Sequence, residues 1–198
     1  MSANSGVEAF LITAIGTRFV FPSISREGRS YWSIRSAPIS IADLLKTKYF
    51  FWLFFVVVST SAVFGIATLS LFYSLPVLFV KLFLNIVNCI GLVALGIGCG
   101  AYFVNFNWQH PSQLTSGFGT LVYMLVSVTL IAANLVLSGF ALYFAHARSG
   151  WAPLQYPGPF LIFIGLVGFY VLLNIAVAKW ALKLGVRSLE EHAKIAGE

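Results

Sequence analysis

Charge is what this sequence has least of. Asp, Glu, Lys and Arg make up 9% of its 198 residues, with only six acids among them, whereas a soluble domain carries about 25%. No Asp or Glu falls in the four apolar runs at about 49–73, 77–103, 118–145 and 159–180. Proton- and sodium-coupled transporters rely on intramembrane carboxylates, so their absence argues against a self-sufficient secondary transporter. There is no G-x-x-x-x-G-K-[ST] loop, which excludes ATP hydrolysis by that motif. Nor is there an H-E-x-x-H or a Cys/His cluster of zinc spacing. The expectation is a non-enzyme with no catalytic residue, metal or cofactor. Its two cysteines, Cys89 and Cys99, share one run. At helical rise they stand about 15 Å apart, too far for a disulfide.

What the chain has is apolar length. It is 59% hydrophobic, with a mean hydropathy of +0.90. All four runs exceed the roughly 18 apolar residues that mark a helix crossing a hydrocarbon core. None alternates polar and apolar residues as a barrel strand does. The predicted fold is an all-α membrane protein of four transmembrane helices, preceded by an amphipathic interfacial helix. Its organisation reads as a basic N-terminal segment over 1–48, a membrane domain over 49–183 and a tail over 184–198. A fifth run, Val7–Val20, is short for a span and is expected to lie in the interface or pack against protein. The opening MSANSGVEAF holds Glu8 and no basic residue, unlike a signal peptide.

The basic residues orient the chain. Ten of the twelve lie in residues 18–48 and 179–198, which four spans place on one side, the cytoplasmic side by the positive-inside rule. Lys81, one turn inside the second run, is expected to snorkel outward. Within the basic segment, Ile24, Tyr31, Trp32 and Ile34 fall near one face of a helix over 23–36, with Arg26, Glu27, Arg29 and Arg35 around the rest. This is the pattern of a helix in the membrane plane. Pro38 interrupts it. Ser40 and Asp43 then form an S-x-x-D capping box, predicting a helix that starts near Ile41 and runs into the first span.

Polar groups inside the runs are amides: Asn85 and Asn88 in the second, Asn134 in the third and Asn174 in the fourth. Asn85, Asn88 and Asn134 lie at similar depths, about 13–18 Å from the outer ends by helical rise. They are expected to meet between spans two and three as packing glue rather than as substrate contacts. Gly96 and Gly100 form a G-x-x-x-G that permits close helix approach, within the bundle or to another chain. His110 and His146 flank the third run at opposite faces and read as interfacial polar residues.

Two readings of the 21–40 cluster compete. One is an orientation signal with contacts to anionic membrane lipids. The other is a partner-docking element formed by Arg26, Glu27, Arg29 and Arg35, since lipids would not select Glu27.

The run Arg29-Ser30-Tyr31-Trp32, then Arg35-Ser36-Ala37-Pro38-Ile39-Ser40 and Leu44-Leu45-Lys46-x-Lys48, resembles permease subunits of bacterial ABC-2 type exporters. Phe106-Asn107-Trp108-Gln109-His110-Pro111 is similar to a loop of some large members, with Asn107 and Gln109 where those carry acids. The resemblance covers about residues 10–145 and only the C-terminal part of such a permease. It implies an exporter permease in the bacterial cytoplasmic membrane, energised by a separate ABC-type ATPase docking on residues 21–40. The implied partners are that ATPase, a second permease chain or an N-terminal half, and lipids, but no nucleic acid. The alternative is a non-transporting scaffold or accessory subunit of a larger membrane complex.

Overall fold

The computed structural model describes residues 2–30, 40–70, 75–105, 113, 117–150 and 158–195. Among them there is no strand. Helix α1 (Ser2–Ile15) leads four long helices: α2 (Ile41–Ser70), α3 (Leu75–Tyr102), α4 (Phe118–Gly150) and α5 (Gly158–Ile195). Each of the four is long and apolar enough to cross a membrane, so the chain has the architecture of an integral membrane protein. These segments are rich in Val, Ile and Phe, residues of modest helix propensity in water. In hydrocarbon the backbone must satisfy its own polar groups, and a helix does so within one segment.

The start of α2 follows local chemistry. The Ser40 hydroxyl accepts the Asp43 N–H at 3.1 Å and donates to Asp43 Oδ2 at 2.6 Å. The Asp43 and Leu44 amides also donate to the Ser40 carbonyl, closing the first turn. Pro76 occupies the first turn of α3 and Pro159 that of α5, where a missing N–H costs nothing.

Helix α3 is the hub. Every residue from Gly91 to Gly98 is buried, and α5 lies along it. A Cβ on Gly98 would strike the Ala181 carbonyl oxygen of α5. Only a residue without a side chain allows that approach. Leu92, Val93, Leu95 and Ile97, all at most 1% exposed, fill the space between the helices.

The N-terminal segment closes another side of α3. Beyond α1 the chain stays helical through a π turn at Gly16–Val20 and a 3-10 turn at Phe21–Ser23. The π turn begins where a Cβ on Gly16 would fall against the Tyr123 hydroxyl of α4. Directly after it, Val20 and Phe21 reach α3. A Cβ on Gly96 would meet Val20 Cγ1 at 2.9 Å, and one on Gly100 would strike the Phe21 carbonyl oxygen. Residues 7–20 therefore pack against protein, with Ala9, Ile12, Thr13, Thr17 and Val20 buried and Val7 and Phe10 facing out.

Of the helix expected over 23–36, the described residues hold a 3-10 helix at Ser25–Ser30. Ser23, Ile24 and Ser25 are buried beneath the bundle. Tyr31, Trp32, Ile34 and Arg35 lie outside the described residues, as does most of the loop carrying Trp108 and His110.

Candidate functional site

Two polar assemblies interrupt the apolar bundle. The first is a chain of amides at its centre. Asn134 Nδ2, on α4, donates to Asn88 Oδ1 of α3 at 2.7 Å and to Asn174 Oδ1 of α5 at 3.1 Å. Asn174 Nδ2 donates back to Asn134 Oδ1 at 3.0 Å and to its own helix at the Tyr170 carbonyl at 2.9 Å. Three helices are thus tied at one level by side chains at most 8% exposed. Asn85 turns the other way. Its Nδ2 donates to Thr60 Oγ1 at 3.1 Å and Ser61 Oγ at 3.0 Å, binding α3 to α2. Asn88 and Asn134 do meet, then, whereas Asn85 serves a different interface and Asn174 takes its place. Side-chain hydrogen bonds between membrane helices contribute about 0.6 kcal/mol each.

Beside these amides lies a cavity of about 20 Å³. Glu8 of α1, only 9% exposed, reaches into this level of the bundle. It lines the cavity together with Lys81, Asn88, Asn134, Ser138 and Tyr170. Sequence reasoning missed Glu8 because it sits outside the four long runs. The available signal was a lone acid at the head of an otherwise uncharged apolar stretch. Lys81, expected to snorkel outward, lines this interior cavity instead.

The second assembly lies at the basic end. Glu27 Oε1 and Lys48 Nζ form an ion pair of 2.6 Å, with both side chains about one-fifth exposed. Lys48 Nζ also donates to the Ser23 carbonyl at 3.1 Å. The Asn105 amide, just past α3, donates to Ser25 Oγ at 3.1 Å. Together these contacts pin the Phe21–Ser30 turns to α2 and to the end of α3. Arg26 is exposed, with its guanidinium 5.8 Å from the Phe19 ring and Nη2 donating to the Arg18 carbonyl at 3.3 Å. Of the four residues expected to dock a partner, Glu27 is engaged by the chain's own Lys48 and Arg26 borders it. The Arg29 side chain and Arg35 lie outside the described residues. Gly96 and Gly100 both serve internal packing against Val20 and Phe21.

No curated protein and no solved structure matches the chain. One family does, described as a putative ATP-binding cassette, over residues 2–193. That description names the cassette itself, not a permease. It overturns the expectation of an exporter permease component worked by a separate ATPase on residues 21–40. Apolar runs and a basic juxtamembrane segment are features of polytopic helical proteins in general, so they did not separate one component from another. Over nearly its whole length, this chain belongs to the putative ATP-binding cassette family.

Proposed function

We propose that the chain is a membrane-integral component of an ATP-binding cassette transport system. The observation that carries this reading is the coincidence, in one family member, of four membrane-length apolar helices with a bundle locked internally by buried amides. The basic residues of 18–48 and 179–198 face the cytoplasm, and the membrane is the bacterial cytoplasmic one. The sequence holds no G-x-x-x-x-G-K-[ST] loop, so any nucleotide contact it makes is not through that motif.

The test is to purify the tagged chain in mild detergent twice, from its own host and from a heterologous one, and to assay ATP turnover in each. The reading predicts turnover in the preparation from the native host. No turnover in either preparation contradicts it.

A further inference from the structure

The four long apolar runs contain no acid, yet the folded bundle holds one. Helix α1 carries Glu8 to the level of the amide chain, where it is nine-tenths buried. Among the described residues its carboxyl has no hydrogen-bond partner. An ionisable group at such depth marks a functional site by default, because charge in hydrocarbon is costly.

The surrounding groups define what can sit beside it. Most of their hydrogen-bonding capacity is already engaged. Asn134 and Asn174 bond reciprocally, the Tyr170 hydroxyl donates to the Leu84 carbonyl at 3.2 Å, and Ser138 Oγ donates to the Leu135 carbonyl at 3.2 Å. What remains is the carboxyl of Glu8, the Asn88 Nδ2 donors and the unused lone pairs of the Tyr170 and Ser138 hydroxyls. A buried water needs roughly 10–15 Å³ and two to four polar partners. The cavity, about 20 Å³, meets both requirements for a single molecule. A metal cation is the poorer occupant, because Lys81 lines the same space and already supplies a positive charge.

We propose that Glu8 and one water in this cavity form a proton-binding site inside the helix bundle. A hydronium ion entering the cavity gives up one O–H bond as a new O–H bond forms on a Glu8 carboxyl oxygen. Neutral water and neutral carboxylic acid are left, and release is the reverse. Among the described residues, the titratable groups around Glu8 are Lys81 and Cys89 of α3 and Tyr170 of α5. The described side chains of α4 offer only amide, hydroxyl and aliphatic groups at this level. Of the titratable groups of α2, Asp43, Lys46 and Lys48 belong to its first turns at the opposite end, while the Tyr49 hydroxyl reaches α3 and donates to the Ile90 carbonyl at 3.3 Å. Glu8 is the one carboxyl among these described groups, and the other largely buried carboxyl described, Glu27, is paired with Lys48.

The site is independent of nucleotide turnover, and its test needs none. The full chain, reconstituted in lipid, is titrated from alkaline to acidic pH while the infrared carbonyl stretch of protonated carboxyls is recorded. The expected result is a band that appears reversibly at least about one pH unit above the range of exposed glutamates, near 4.3. It is lost in Glu8→Gln and unchanged when choline replaces sodium. In protein made with carboxyl-¹³C glutamate the wild-type band shifts, while that of Glu8→Asp does not, which assigns the band even where Glu8→Gln fails to fold. Identical titrations for wild type and Glu8→Gln would overturn the site, as would a band confined to the exposed range. Sodium-dependent loss of the band would overturn the proton in favour of a metal cation.

Discussion

Helices α2 and α3 have the same mean hydropathy over their membrane-length windows, 2.2, and opposite places in the bundle. Half of the α3 window is buried inside the protein but only 17% of the α2 window. The difference is size. The buried stretch of α3 is built from Gly91, Ala94, Gly96, Gly98 and Gly100 interleaved with Leu92, Val93, Leu95, Ile97 and Cys99, while α2 presents Phe50, Phe51, Phe54 and Phe55 outward. Where the surroundings are as apolar as the side chains, hydrophobicity cannot sort inside from outside. Close backbone approach and shared polar groups do.

Substitutions at glycine should break this contrast most severely. A methyl group on Gly100 has the Phe21 carbonyl in its path and one on Gly98 has that of Ala181, and backbone cannot step aside as a side chain can. Gly100→Ala is expected to cost about 3 kcal/mol, at the top of the usual overpacking range, or to abolish the folded form. Gly65→Ala on α2, with open space around it, should be neutral or gain up to about 1 kcal/mol from helix propensity. Thermal melts of the two variants in the same detergent compare them directly.

The ion pair under the bundle comes next. Lys48→Met strands the Glu27 carboxylate in a site one-fifth exposed. Breaking a fully buried pair costs about 3–5 kcal/mol, and partial exposure reduces this to about 2. Adding Glu27→Gln should recover part of the loss, which a double-mutant cycle on unfolding free energies would detect. Asn134→Ala removes three amide hydrogen bonds at once and should cost about 1–2 kcal/mol. Faster proteolysis of the α4–α5 pair than of α2 in that variant would locate the damage. Phe54→Leu on the outer face of α2 should change stability by no more than about 0.5 kcal/mol. A larger effect would mean that this face contacts protein.

The spans were legible because length and hydropathy are properties of contiguous residues. So was the start of α2, since Ser40 and Asp43 are three residues apart and satisfy each other locally. The asparagines were found, but their pairing was only half readable. Depth placed Asn88 level with Asn134, yet nothing in the order of residues shows that Asn85 faces α2 and Asn174 faces α4. The Gly96–Gly100 stripe was visible as a close-approach surface. Its occupant was not, because the π turn that delivers Val20 and Phe21 has no composition signal. Glu8 escaped notice for a related reason. Residues 7–20 are too few to read as a span, and only their burial against α3 and α4 carries an acid to membrane depth. The component role was misread because a basic segment before a span satisfies topology whatever the protein does.

The most direct test of the size rule is to photolabel the unmodified protein in its membrane with a lipid-soluble carbene reagent and map the adducts by mass spectrometry. The account predicts dense labelling at Phe50, Phe51, Phe54 and Phe55 of α2 and none between Gly91 and Gly98 of α3. Comparable labelling of the two stretches would contradict it.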